Sequence, residues 1–84
     1  MELPQQYAVY QHYKGRCYQF LAVGRHTETG EELAVYRQLY GDGLVWARPL
    51  SMFCDKVLVE GVSRPRYLRV EDPYLAENPA TSAD

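Results

Sequence analysis

The chain has 84 residues, 46% of them hydrophobic, with eight tyrosines and a formal net charge of −2. A chain of this length folds as one domain with a small core, and its many aromatic residues argue against disorder of the whole chain. The slightly acidic balance disfavours general nucleic-acid binding, which needs an excess of basic residues. No run approaches the ~18 apolar residues of a membrane span. Met1–Gln6 has no signal-peptide pattern. We therefore predict a cytoplasmic protein with no membrane segment.

The first half of the chain predicts a flexible N-terminus over residues 1–6, followed by a strand. Tyr7–Tyr13 spaces three tyrosines three apart, which fits either a helical turn or an extended lead-in. Arg16–Arg25 is the first clear strand. Alternation places Cys17, Gln19, Leu21 and Val23 on one face and Tyr18, Phe20, Ala22 and Gly24 on the other. Both faces are largely apolar, which is typical of a small closed barrel.

The rest of the chain predicts four more strands, at Glu32–Tyr40, Leu44–Arg48, Asp55–Glu60 and Arg66–Val70. A loop that contains Gly30 precedes the strand at Glu32–Tyr40, and a tight turn at Gly41–Gly43 follows it. Leu50–Phe53 predicts a single helical turn. Residues 71–84 predict a flexible acidic tail. Together these elements predict a mostly β fold over residues 7–70, namely a small SH3-like five-stranded barrel with one short helical turn.

Two stretches carry a resemblance to a known family. They are Y-Q-H-Y-K-G at Tyr10–Gly15 and the segment Arg25–Phe53, which contains H-T-E-T, V-Y-R and W-x-R-P-x-x-M-F in order. Over roughly residues 8–70 the chain resembles a bacterial family of small domains of unknown function, the one numbered 1653. The resemblance implies a short, mostly β, bacterial domain without an established activity. Gly30 and Cys54 depart from the usual family form, which argues against Cys54 as a required nucleophile or ligand.

The strand pattern also predicts a candidate ligand-binding face. Tyr36 and Trp46 lie on strands joined by the tight turn, and hairpin pairing places them and Arg48 in one cross-strand neighbourhood. His26 and Glu28 lie in the adjacent loop. Aromatic side chains offer rigid contact area, and an arginine can bind a carboxylate or phosphate through two hydrogen bonds. The structural alternative is that the aromatic residues are barrel core and that Arg48 pairs with Glu28 or Asp42.

Catalytic chemistry has little support in the sequence. His26 with Glu28 could transfer protons or bind a metal, but a zinc site would also need His12 to converge on them. In the structural alternative, Thr27 or Glu28 hydrogen-bonds the loop backbone. The cysteines, Cys17 and Cys54, lack a motif and are expected as reduced, buried thiols. We predict no catalytic residue, no metal and no cofactor.

The sequence therefore favours a non-enzymatic binding or adaptor module that uses the aromatic–arginine face formed by Tyr36, Trp46 and Arg48. The expected partner is a protein or a small anion. Two alternatives stay open: a small barrel that binds nucleic acid through arginines and exposed tyrosines, and a small enzyme or metal protein that depends on His26 and Glu28.

Overall fold

The computed structural model describes residues 3–71. The predicted tail, apart from Glu71, and the first two residues of the predicted N-terminal segment lie outside the described residues. In the described part the fold is mostly β, as the sequence predicts, but it has seven strands rather than five. The elements are β1 (Val9–His12), β2 (Cys17–Arg25), β3 (Glu32–Gln38), β4 (Val45–Pro49), α1 (Leu50–Phe53), β5 (Lys56–Val59), β6 (Val62–Pro65) and β7 (Tyr67–Val70).

The strands form two antiparallel sheets. The larger sheet has the order β4-β3-β2-β1-β7, and β5 and β6 form a separate hairpin. The first four strands are a meander, and their tight turns use glycines in the left-handed region, including Gly15 with φ 112° and Gly30 with φ 75°. The chain then passes through α1 and the β5–β6 hairpin before β7 pairs with β1.

Two strands were not predicted as such. β1 falls where the tyrosine spacing also fitted a helical turn, and pairing on both sides, with β2 and with β7, holds it extended. β6 lies beyond Glu60, where the sequence predicts the end of a strand, and Glu60 and Gly61 instead form the turn of a hairpin. Glu60 and Gly61 both have positive φ, 51° and 80°. Two such residues in succession are the signature of the tight turns that join antiparallel strands.

A β-bulge interrupts β2 and changes which face its side chains occupy. Phe20 pairs with Tyr36, whereas Ala22 pairs with Val35, so Leu21 is the extra residue. The predicted alternation is therefore wrong after Phe20, because Val23 pairs with Ala34 and joins the face that carries Phe20. A bulge bends its strand and increases the local twist.

The core lies between one face of the larger sheet and α1. Its buried members are Phe20, Ala34, Tyr36, Leu50, Phe53 and Tyr67. The rings of Phe53 and Tyr67 stack with centroids 4.1 Å apart. In a flat sheet β4 and β7 would lie about 19 Å apart, because four strand spacings separate them. Instead Arg48 of β4 donates a hydrogen bond of 3.1 Å to the Tyr67 hydroxyl of β7, so the sheet is curled around its core.

Candidate anion-binding face

The concave face of the sheet brings the aromatic pair and the arginine together. Tyr36 and Trp46 are directly opposite each other in the β3–β4 pairing, and Arg48 lies opposite Ala34 on the same face. Tyr36 is buried, with 7% of its surface exposed, whereas Trp46 keeps 49% exposed. Tyr36 therefore belongs to the core, and Trp46 and Arg48 form the accessible rim of the face.

Trp46 is held in a fixed orientation. Its indole Nε1–H donates a 2.7 Å hydrogen bond to the side-chain oxygen of Gln38, a buried residue on the neighbouring strand. The amide nitrogen of Gln38 in turn donates to the backbone oxygen of Tyr40 at 3.2 Å. A half-exposed indole that is anchored at its nitrogen offers a rigid apolar surface, which loses little conformational entropy on binding a ligand.

Arg48 lies among tyrosine hydroxyls. One guanidinium nitrogen donates to the Tyr67 hydroxyl at 3.1 Å, and hydrogen bonding also links Arg48 to Tyr36. Burial raises the pKa of Tyr36, as does its hydrogen bond with Tyr67, while the Arg48 charge partly opposes the rise. Tyr36 is therefore neutral near pH 7 and supplies no counter-charge to Arg48. Among residues 3–71 the ion pairs are Arg25–Glu32 and Arg66–Asp55, so Arg48 has no carboxylate partner there.

The Asp55 carboxylate interacts electrostatically with Arg48, but it accepts its hydrogen bonds from Arg66. Asp55 accepts two hydrogen bonds from Arg66, at 2.7 and 3.2 Å. This hydrogen bonding, helped by the charges of Arg66 and Arg48, lowers the pKa of Asp55. Burial lowers the pKa of His12, and the charges of Arg66, Arg48 and Lys14 lower it further. The charges of Arg66, Arg48 and Lys14 therefore all act on His12, although the whole chain is slightly acidic.

The loop that carries His26 and Glu28 lies away from Arg48. Its strand end pairs Arg25 with Glu32, and β2 and β4 lie on opposite sides of β3. Standard strand dimensions therefore separate His26 from Arg48 by about 14 Å between Cα atoms. His26 Nδ1 accepts the backbone N–H groups of Glu28 and Thr29, at 3.1 and 3.3 Å. The Glu28 carboxylate accepts from the Thr27 hydroxyl. The loop is thus stabilised by its own polar groups.

Two side chains of the face were absent from the predicted site. Gln38 shares the face of Tyr36 by simple alternation, so its parity was a visible signal for the Trp46 anchor. Tyr67 comes from the last strand, and it reaches Arg48 only because the sheet is curled. The sequence holds no local signal for that contact. A second pair of hydroxyls, on Tyr18 and Tyr40, lies 2.9 Å apart.

An open cleft of about 750 Å³ lies beside the stacked rings of Phe53 and Tyr67. Arg69, Lys56 and Asp55 line it, together with apolar side chains that include Leu3. Neither Arg48 nor Trp46 lines this cleft, so it is separate from the rim that they form.

The described residues offer little for metal or thiol chemistry. Within residues 3–71 no group of three or more His, Cys, Asp or Glu side chains is placed to hold a metal ion. The two cysteines, Cys17 and Cys54, form no disulfide. Burial raises the pKa of the Cys54 thiol, and the neighbouring Asp55 carboxylate adds to the rise, which makes Cys54 a poor nucleophile. In the same range no helix is long and apolar enough to cross a membrane.

Comparison with known proteins identifies the family. Residues 8–69 match the family described as "Protein of unknown function (DUF1653)", and the chain belongs to that family. The chain is also similar to a crystal structure of a DUF1653 protein from Bordetella bronchiseptica, with 35% sequence identity and a TM-score of 0.71. That similarity covers 79% of this chain and 87% of the Bordetella chain. No curated protein matches the chain. Membership confirms the predicted resemblance, and it supplies no specific activity.

Proposed function

We propose that this domain is a non-enzymatic binding module that holds an anionic group of its partner at Arg48. The observation that carries the proposal is the half-buried Arg48 guanidinium, whose hydrogen-bonding groups among residues 3–71 are neutral hydroxyls. A partly desolvated cation without a counter-ion is costly, and an incoming carboxylate or phosphate would offset that cost. Trp46 would provide an apolar contact beside the anion.

The finer features of the fold and setting are part of the same proposal. The curled five-stranded sheet with its single helical turn supports an SH3-like small barrel. The Bordetella relative is bacterial, which supports a bacterial origin for this chain. A cytoplasmic setting is proposed from the sequence alone. His26 and Glu28 lie in the loop before β3, about 14 Å from Arg48, and we place them outside the anion contact.

Two-dimensional NMR of the labelled protein tests the proposal directly, because the site has two built-in reporters. The Trp46 indole N–H and the Arg48 Nε–H are monitored while inorganic phosphate, and separately acetate, is added. We expect both signals to shift together and to saturate, because the anion would contact Arg48 beside the anchored indole. The Arg48→Gln variant should lose the Trp46 shift.

Arg25→Gln is the matched control, because it removes the same charge from an exposed ion pair elsewhere on the sheet. It should keep the Trp46 and Arg48 shifts. An Arg48→Gln protein that is folded and still shows the saturable Trp46 shift would contradict the proposal. A single-stranded DNA oligonucleotide at low salt forms a separate arm. A strong, salt-sensitive Trp46 shift with DNA but none with phosphate or acetate would favour the nucleic-acid alternative.

A further inference from the structure

The β4 strand has backbone groups that point away from the sheet. The Gln38 N–H donates a hydrogen bond of 2.9 Å to Leu44 O. In the β3–β4 register this makes the even-numbered residues of β4 the ones that hydrogen-bond to β3. Antiparallel pairing alternates bonded and non-bonded positions, so the N–H and C=O groups of Val45 and Ala47 face outward. In the part of the chain that the structure describes, no strand is hydrogen-bonded to that side of β4.

The side chains along this edge are also uncovered. Leu44, Val45 and Trp46 are each about half exposed, at 50%, 48% and 49%. Ala47 is exposed as well, so four consecutive apolar residues meet solvent. An accessible apolar edge strand is a template for another strand, and proteins normally shorten, charge or cover such edges. Pro49 ends the strand, but Leu44–Ala47 contains no charged residue to block pairing.

We propose that β4 binds an extended acidic peptide segment of a partner protein as an added antiparallel strand. This inference rests on the proposed function, because it identifies the carrier of the anion that Arg48 binds. The added strand would hydrogen-bond to Val45 and Ala47. Trp46 and Arg48 would then occupy the non-hydrogen-bonded positions of the new pair, where facing Cα atoms approach to about 4.5 Å and side chains are closest.

This geometry defines a short recognition pattern. The peptide residue opposite Arg48 is acidic, and the residue two positions later, opposite Trp46, is apolar. The intervening residue faces away from the concave side, because alternate side chains of a strand point to opposite faces. The pattern is acidic–any–apolar, read in the direction antiparallel to β4.

A second copy of this chain matches the edge less well. Leu44–Pro49 contains no acidic residue, so two paired β4 strands would bring no strand carboxylate opposite Arg48. Antiparallel pairing centred on Val45 would set position 42 opposite Arg48, but Asp42 lies in the turn before β4 and not in an extended strand. Charge complementarity therefore favours a separate acidic partner.

The probe is the peptide acetyl-Thr-Glu-Thr-Val-Thr-Val-Thr-amide. Its controls replace Glu with Gln or move Glu by one position. We expect the Glu peptide to bind about tenfold tighter than either control, because a hydrogen bond to a charged group contributes about 1.5 kcal/mol and about 1.4 kcal/mol is tenfold in affinity. Amide exchange should slow at Val45 and Ala47 on binding. The amides of Trp46 and Arg48 already bond to β3 and should change little.

Val45→Pro tests the backbone contact, because proline removes an outward N–H without removing a bond to β3. Val45→Thr is its matched control and keeps the N–H. We expect Val45→Pro to lose peptide binding while the phosphate shifts of Arg48 and Trp46 persist. That pattern separates failure of this inference from failure of the anion site, which would abolish the phosphate shifts in the wild-type protein.

Three results would overturn the inference. One is equal binding of the Glu and Gln peptides, and another is peptide-induced protection at β7 or β5–β6 rather than at Val45 and Ala47. The third is a dimer in sedimentation experiments without peptide, together with amide exchange at Val45 and Ala47 that slows as the protein concentration rises. That result would make a second copy the occupant of the edge. If Val45→Pro does not fold, amide exchange of the wild-type protein with the three peptides still decides the outcome.

Discussion

Replacing Phe53 with alanine should remove the centre of the core. Phe53 ends the short helix α1 and is only 2% exposed. Its ring stacks on Tyr67 at 4.1 Å and meets Tyr10, Phe20 and Tyr36 at 5.4–5.6 Å between centroids. Rings from β1, β2, β3 and β7 therefore all meet at Phe53.

The magnitude follows from burial and packing. A fully buried Phe→Ala change costs about 3–5 kcal/mol, and the ring contacts of Phe53 place the value near the middle, at about 4 kcal/mol. Domains have about 0.05–0.15 kcal/mol of stability per residue, or about 4–13 kcal/mol for 84 residues. Phe53→Ala should therefore remove a large share of the total stability and lower Tm by about 16–32 °C.

Urea unfolding followed by Trp46 fluorescence measures the loss, and Met52→Ala is the matched control. Met52 is the neighbouring residue of the same helix, but it is 43% exposed, so its loss should cost less than about 1 kcal/mol. A loss below about 1.5 kcal/mol for Phe53→Ala would refute the argument that α1 closes an aromatic core. Equal losses for the two variants would refute it as well.

Three smaller predictions test the elements around the face. Gln38→Leu removes the anchor of the Trp46 indole, so we expect a loss of about 1–2 kcal/mol in urea unfolding and a fall in Trp46 fluorescence anisotropy. Asp55→Asn should destabilise the protein most above about pH 5 and progressively less as pH falls. The hydrogen bond with Arg66 lowers the pKa of Asp55, so the charged carboxylate stabilises the folded state. This stabilisation is lost as the carboxylate of the folded protein becomes protonated. Thermal melts of both proteins from pH 3 to 8 check this sign. Glu60→Asn should stabilise the hairpin by about 0.5 kcal/mol, because asparagine adopts positive φ at lower cost, and a thermal melt measures the gain.

Local patterns predicted the elements that depend on nearby residues. The β3–β4 hairpin follows from alternation on both sides of the Gly41–Gly43 turn, and the register that pairs Tyr36 with Trp46 follows from the length of that turn. The helical turn at Leu50–Phe53 was likewise visible, because Pro49 ends a strand and no alternation follows. In each case the relevant interactions span about ten residues or fewer.

The rest depends on contacts between distant parts of the chain. β1 becomes a strand because β7, more than fifty residues later, pairs with its second edge. Tyr67 joins the site only through the curl of the sheet. Val23 lies on the opposite face from the predicted one because Leu21 forms a β-bulge in β2. The residue type of Leu21 gives no sign of a bulge. Periodicity assumes that a strand is regular, so it cannot detect such an interruption.

The bulge at Leu21 makes chain length, rather than residue identity, a determinant of the binding face. Phe20 and Ala22 pair with Tyr36 and Val35, which are adjacent on β3, so deletion of Leu21 would leave every other partner of β2 in place. The strand would then be regular and straighter, the edges β4 and β7 would move apart, and Arg48 would lose Tyr67. A single-codon deletion outside the site could therefore widen it without replacing any residue that lines it. Relatives whose β2 strands differ by one residue would then differ in the width of this face.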